Sequence, residues 1–172
     1  MRPLVVSDAE ALAAAYLRNR EHLAPWEPDR PAESLTAEGQ RVRIEEQVRL
    51  REAGRTLPWV LTADERIVGT ATLSNIVLGP FRSAHLGYWI DGGHTGRGLA
   101  TLAARYACRV ADEEVGLHRV EAGTLPHNVG SQRVLAKAGF ERIGLAPRYL
   151  HINGAWRDHV LFQRVLHDRP LG

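Results

Sequence analysis

Apolar positions fall at helical spacing early in this chain and crowd into short aromatic and β-branched runs further on. A short strand is expected around residues 3–6. Ser7-Asp-Ala-Glu10 has the form of a capping box and predicts a helix running to about Arg20. Pro25 and Pro28 forbid helix in the next stretch and leave Trp26, a large apolar group, on a loop. There it either plugs the core or lines a cleft. Ser34 or Thr36 caps a second helix, in which Val42, Ile44, Val48 and Leu50 recur at mixed helical spacing as far as Gly54. Three strands follow, at residues 57–62, 66–73 and 83–90. They are separated by the Asp64-Glu65 turn and the Gly79-Pro80 break, which suggests an antiparallel meander.

The pattern then changes. Tyr88-Trp-Ile90 suits a pleated surface, Asp91-Gly-Gly93 breaks the strand, and Gly96-x-Gly98 leads into the helix-forming run from Leu99 to about Val110. A strand, a glycine loop and a helix in that order present the free first-turn amides of the helix, and the positive end of its dipole, to an anion. Bare glycines let the anion come close. The unit predicts a pyrophosphate cradle, to which Arg97 could add charge. There is no Gly-x-x-x-x-Gly-Lys-Ser/Thr, so this is not a P-loop. A dinucleotide fingerprint would need glycine where Thr101 stands, and Glu121, near the position of a ribose-binding acid, lies inside a strand and not at its end. That rival and a plain tight turn remain open at this level.

Beyond the loop, residues 119–124 read as a strand free to run parallel to its neighbour, and residues 129–137 as a helix ended by Gly139. Asn153-Gly154 between apolar runs predicts a closing hairpin over residues 140–150 and 155–166. No linker or repeat divides residues 1–172, so the expectation is one α+β domain around a mixed sheet.

The 172 residues carry a formal net charge of only +2, which argues for no nucleic-acid site. The single cysteine, Cys108, rules out a disulfide framework and reads as a packing residue. No apolar run approaches membrane-spanning length. A cytoplasmic protein is expected, with no membrane partner. Eight histidines show no His-x-x-x-His spacing and the lone thiol has no partner, so no metal is expected.

Motifs along almost the whole chain resemble those of the Gcn5-related N-acetyltransferase (GNAT) superfamily. Within it they resemble the RimJ/RimL type that acetylates ribosomal-protein N-termini, RimJ acting on an N-terminal alanine. The matching segments include Asn19-Arg20, Pro25-Trp-Glu-Pro28, Glu38-Gly-Gln-Arg41, Leu86-Gly-Tyr88, Gly96-x-Gly-Leu99, Pro126-His-Asn128 with Ser131, Gly139-Phe-Glu141 and Trp156-Arg-Asp-His159. The loop motif is generic to the superfamily, whereas the Trp-Glu-Pro and Trp-Arg-Asp-His segments are far more specific. The resemblance implies a central, mostly antiparallel sheet split between two parallel strands, flanked by helices and closed by a C-terminal hairpin. It implies acetyl-CoA as cosubstrate and direct transfer to an amine without an acyl-enzyme, by a monomer or homodimer.

On that reading Gly93, His94, Thr95, Gly96, Arg97, Gly98, Leu99, Ala100 and Thr101 bind the pyrophosphate. The strand edge at Tyr88, Trp89 and Ile90 takes the pantetheine arm as if it were another strand. Asn128 and Ser131 meet the arm, and an amide near Tyr88 or Trp89 stabilises the oxyanion. Trp26, Glu27 and Trp59 are candidate acceptor-binding residues. Three positions depart from the superfamily pattern. Gly93 stands where the loop usually opens with Gln or Arg. Leu135 stands where many relatives have a tyrosine acid, which leaves Ser131 as the candidate to hand a proton to the leaving thiolate. His85 stands where relatives often carry glutamate.

The absence of a strong base bears on the acceptor. An α-amine has pKa ~7.7–8.0 against ~10.4 for lysine, so a weak base or a water chain suffices for it. His85, His127 and Glu121 are the candidates, although each could equally be a sheet, loop or ion-paired residue. Asp158 reads as the structural partner of an arginine. The expected acceptor is the N-terminal amine of a protein, a ribosomal protein by the resemblance. A small amine such as an antibiotic or amino acid is the alternative, and a non-catalytic acyl-CoA-binding ribosome-assembly factor is the rival of another class.

Overall fold

A computed structural model describes residues 1–28 and 31–170. The short strand β1 (Arg2–Pro3) lies against β2 (Leu57–Ala63). β2, β3 (Arg66–Val77) and β4 (Ser83–Ile90) form the expected antiparallel meander. β5 (Arg119–Thr124) runs parallel to β4, and β7 (Ala155–Val165) lies between β5 and β6 (Glu141–Ile152). The seven strands make one sheet in the order β1-β2-β3-β4-β5-β7-β6, mixed only at β4–β5. Asn153 and Gly154 both take positive φ in the turn of the closing hairpin, as a two-residue turn requires.

Helices cover both faces. α1 (Ala9–Arg18), the single turn α2 (Arg20–Leu23) and α3 (Ala37–Glu52) precede the meander. Leu12, Tyr16, Ile44, Val60 and Trp89 form a core on their side. α4 (Leu99–Glu113) and α5 (Val129–Lys137) cover the other face, where Leu73, Leu86, Leu117, Val120 and Leu135 are buried. Ala103, Ala104, Ala107 and Ala111 give α4 a smooth buried stripe that lets it lie close on the strands.

Three expectations change. Ser7 caps nothing. It lies inside a 3₁₀ turn (Val6–Asp8), and the Asp8 carboxylate turns back to accept from the Val5 amide at 3.0 Å and to pair with Arg2. Thr36 caps α3 by accepting from the Gly39 amide, so the choice between Ser34 and Thr36 falls to Thr36. Trp59 does not reach a binding cleft. It is 5% exposed, and its ring meets Tyr106 edge-on inside the core.

The parallel junction positions everything that follows. β4–β5 pairing runs from Ser83↔Arg119 to His85↔Glu121 and stops. Beyond that point β4 keeps β3 as far as Ile90↔Gly69, and β5 keeps β7 as far as Thr124↔Val160. Each strand holds its other neighbour, so the opening lies between them.

Candidate active site

The glycine loop is built around a carboxylate. Asp91 is 5% exposed at the end of β4. Its oxygens accept from Arg18 Nε and Asn19 Nδ2, both at 2.8 Å, and from the Gly93 amide at 2.9 Å, and His94 Nδ1 lies at 3.3 Å. Asn19 also takes the Gly92 amide on its Oδ1. Burial alone would raise the pKa of Asp91. The hydrogen bonds from Asn19, Arg18, Gly93 and His94 outweigh it and hold the carboxyl far below the usual carboxylate range.

This knot ties the start of the loop to the end of α1 and leaves the rest of the loop free. The amides of Gly92, Gly93 and His94 are taken by Asn19 Oδ1, Asp91 Oδ1 and the Asp91 carbonyl. Gly93 is therefore removed from the predicted pyrophosphate ligands, because its N–H already serves the loop. Among the described residues no backbone bond takes the amides from Thr95 to Gly98, and those of Leu99, Ala100 and Thr101 are the first-turn donors that no helix satisfies internally. Gly96 and Gly98 have φ of +74° and +80°, with nothing within 4 Å of where a Cβ would stand. Only glycine takes this backbone without strain. Seven consecutive unoccupied amides, open space and a helix N-terminus fit a diphosphate. Arg97 is exposed beside them but does not line the cleft.

A cleft of about 800 Å³ runs from this loop into the gap between β4 and β5. His94, Thr95, Gly96, Gly98, Leu99, Ala100 and Thr101 line one end, Tyr88, Trp89 and Ile90 one wall, and Asn128 and Ser131 the opposite wall. Trp89 contributes its backbone edge, since its indole N–H is donated to Tyr16 Oη in the core at 3.0 Å. Asn128 caps α5 by accepting the Ser131 amide at 3.0 Å, so its side-chain NH₂ is the group left for a carbonyl in the cleft. The Tyr88 hydroxyl lies 2.9 Å from Ser131 Oγ. Burial pushes the Tyr88 hydroxyl up to about 12, despite that bond. Thr124 also lines the cleft, and its Oγ1 is buried without a partner.

The other end of the cleft is assembled from more distant pieces. Trp26 and Glu27 line it, and the Trp26 ring lies over His127 with centroids 5.5 Å apart. His22 and the nearly buried His159 line it too, and His159 packs on Tyr149. Asn153, at the hairpin turn, donates to the Ala24 carbonyl at 2.9 Å and clasps the hairpin to the Trp26 loop.

His85 and Glu121 come together at the last β4–β5 pair, with Nε2 3.1 Å from Oε2. Asn75 Nδ2 faces His85 Nδ1 at 3.3 Å, which places the ring hydrogen on Nε2. The pair does not line the cleft. It lies on the strand face of Gly87 and Gly123, one step before the strands part, where a Cβ on Gly87 would meet nothing. The structure thus brings together the donor-side candidates and His127, and sets His85 and Glu121 just outside. Sequence reasoning gave no role to Asn19, Asp91, Thr124 or His159. Asp158 accepts the Arg148 amide and pairs with no arginine side chain among the described residues.

Cys108 is buried in α4, away from the cleft, and burial pushes its thiol up to about 11. Among the described residues no group of three or more His, Cys, Asp or Glu gathers as a metal site. No helix among them is long and apolar enough to cross a membrane.

Residues 1–141 match a family model described as an acetyltransferase (GNAT) domain. A relative named as a probable N-acetyltransferase of Bacillus subtilis is 42% identical over 161 residues, covering 92% of this chain and 89% of the relative. The ribosomal protein uS5-alanine N-acetyltransferase of Escherichia coli is 39% identical over 156 residues, covering 90% and 80%. Among solved structures, Mycobacterium smegmatis RimJ in complex with CoA-disulfide superimposes with a TM-score of 0.91 at 36% identity, covering 95% of this chain and 80% of that one.

Proposed function

The chain belongs to the GNAT acetyltransferase family and is an acetyl-CoA-dependent N-acetyltransferase, and on that premise we propose that its acceptor is the N-terminal α-amine of a polypeptide, a ribosomal protein, in the cytoplasm. The ribosomal protein uS5-alanine N-acetyltransferase of Escherichia coli supports the acceptor class. One observation carries it: His85 and Glu121 form an imidazole–carboxylate pair at the last β4–β5 register pair, a weak base one step from where the strands part and beside the open floor at Gly87. Such a base is matched to an amine of pKa ~7.7–8.0 and poorly matched to lysine.

The cosubstrate supplies an acetyl thioester, and its sulfur departs as a thiolate that solvent protonates. The amides of 95–101 hold its diphosphate. The free edge of β4 aligns its arm, and a β4 amide near Tyr88 faces the carbonyl oxygen. His85 Nδ1 exchanges its contact with the Asn75 amide for a water and takes the ammonium proton through it, while Glu121 holds Nε2–H and stabilises the imidazolium. Ser131 offers its hydroxyl to the departing sulfur. Direct transfer between the two bound substrates is the mechanism we favour. Cys108 faces the core, and Ser131 Oγ meets a tyrosine hydroxyl, not a base that could activate it as a nucleophile.

The test follows free thiol with acetyl-CoA and three acceptors: an Ala-starting peptide, an N-blocked lysine peptide and a set of small amines. Release with the first and not the second is expected. Release only with small amines gives the acceptor role to them, and tight CoA binding without turnover on any amine makes the chain a binding module.

A further inference from the structure

The cleft holds two hydroxyls in contact, on elements 43 residues apart, and one of them has no assigned part in the reaction. Tyr88 projects from β4 toward α5 and Ser131 lies in the first turn of α5, both lining the cleft. Together they have two hydroxyl hydrogens, and who donates to whom decides where the second hydrogen points. Two acceptors compete for the Tyr88 hydrogen: Ser131 Oγ at 2.9 Å and the Ser131 carbonyl at 3.4 Å. The 2.9 Å contact is a hydrogen bond whichever hydroxyl donates, and a negative charge developing in the cleft favours Tyr88 as its donor, because that leaves the serine hydrogen for the charge. The converse, Ser131 donating to Tyr88, would leave the phenolic hydrogen directed at that long carbonyl contact. It would also turn the serine hydrogen away from the cleft.

We propose that Tyr88 is a positioning residue: by donating to Ser131 Oγ it forces the Ser131 hydrogen outward, where it stabilises the departing CoA thiolate as a hydrogen-bond donor. This rests on the reading that Ser131 faces the leaving sulfur. Tyr88 keeps its proton throughout. Its hydroxyl is pushed up to about 12 by burial, above the range of a thiol (~8.5 for cysteine), so complete transfer from Tyr88 to the thiolate is uphill. No bond to hydrogen breaks at either hydroxyl, and the thiolate takes its proton from solvent after it leaves. The backbone fixes the serine as well, because the Asn128 cap holds the Ser131 amide at 3.0 Å. With the main chain anchored by Asn128 and the oxygen by Tyr88, one rotor remains, and it has one useful direction.

The experiment uses Tyr88→Phe, Ser131→Ala, Ser131→Thr and the Tyr88→Phe/Ser131→Ala pair, each first checked for retained folding and CoA binding. One readout is the ionisation of the thiol of bound CoA, followed by thiolate absorbance against pH. The second is turnover. In the unchanged protein the bound thiol should titrate below that of free CoA. Tyr88→Phe should move it back toward the free value and lower kcat roughly tenfold, the scale of a lost hydrogen bond to a charge, with KM for acetyl-CoA changed less than about twofold. The double variant should match Ser131→Ala in both readouts, and Ser131→Thr should retain most of both. Tyr88→Phe leaving both readouts unchanged overturns the proposal while Ser131 keeps its role. So does a Tyr88→Phe effect that persists in full in the Ser131→Ala background. Ser131→Ala without effect on either readout removes Ser131 from the reaction, and this inference with it.

Discussion

The two ends of the cleft are built differently. At the donor end a single buried carboxylate gathers a guanidinium, a side-chain amide, a backbone amide and an imidazole, and the loop it fixes then offers main-chain groups only. At the acceptor end the groups are side chains from three separate segments, Trp26, His127 and the hairpin residue His159, with His85 just outside. They are joined by ring contacts and by one bond from Asn153 to the Ala24 carbonyl. The lesson is one of tolerance. On the proposed reading, a backbone cradle held from behind suits any ligand with the right diphosphate. An edge made of side chains can change its acceptor without disturbing the cradle.

Breaking the knot tests that contrast most severely. Asp91→Ala leaves Arg18, Asn19 and the Gly93 amide without their acceptor, and removing one member of a buried charge network costs about 3 kcal/mol. CoA affinity should fall with it, and acceptor selectivity should not. The pH dependence has a definite sign. The folded pKa of Asp91 lies far below the unfolded value of ~3.9. Its stabilisation is therefore fully present above that value and is lost as pH falls through it toward the folded pKa. Denaturant unfolding at several pH values should show the difference between the variant and its parent constant from neutrality to about pH 5, then narrowing in stronger acid. A gap that stays constant down to pH 2 contradicts this account.

Gly98→Val is next in size. A β-branched residue at φ +80° costs roughly 1–3 kcal/mol of backbone strain, and the side chain would occupy the open space over the free amides. Calorimetric CoA binding should weaken by at least tenfold, while Gly54→Ala, at an exposed positive-φ turn remote from the cleft, leaves it unchanged.

His85→Ala moves to the acceptor end and should act on rate alone. For an α-amine partly unprotonated at neutral pH, the loss in kcat/KM should be about tenfold, below the usual yield of a general base. It should shrink as pH rises past ~8 and the amine deprotonates unaided. Initial rates from pH 6 to pH 9.5 read this directly. A loss that does not change with pH assigns His85 to structure, and the same loss in His127→Ala moves the base to the ring under Trp26.

What the sequence disclosed follows the same division. β4, β5 and α5 begin and end where expected because each is bounded by a local signal: Asp91-Gly-Gly93, Pro126 and Gly139. The parallel junction was legible because α4 intervenes. The knot was not legible, since Asn19 and Asp91 lie 72 residues apart and neither sits in a pattern that points to the other. Reading Gly93 as a ligand failed for the same reason, its amide being claimed by a carboxylate two residues earlier. Trp59 misled because β2 is covered on both faces: Pro58, Trp59, Val60 and Leu61 are all buried, so alternation gave no way to tell core from cleft. The Ser7 box failed because Ser7 is taken into a 3₁₀ turn that Asp8 closes on the Val5 amide.

The smallest expected effect is also the most selective. Trp26 lies between two prolines on a loop, lines the acceptor end and stacks on His127. Truncating it to alanine removes one aromatic contact worth about 0.5–1.5 kcal/mol and one wall of the acceptor end. KM for an Ala-starting peptide should rise about three- to tenfold. KM for acetyl-CoA should stay the same, because the amides of 95–101 are anchored through Asp91 and Asn19 and not through this loop. Trp26→Phe keeps a ring over His127 and should recover most of the peptide affinity. If Trp26→Ala raises both KM values together, the two ends are mechanically coupled through the Asn153 clasp. The division between a rigid donor cradle and an exchangeable acceptor edge would then be wrong at the point where it is easiest to measure.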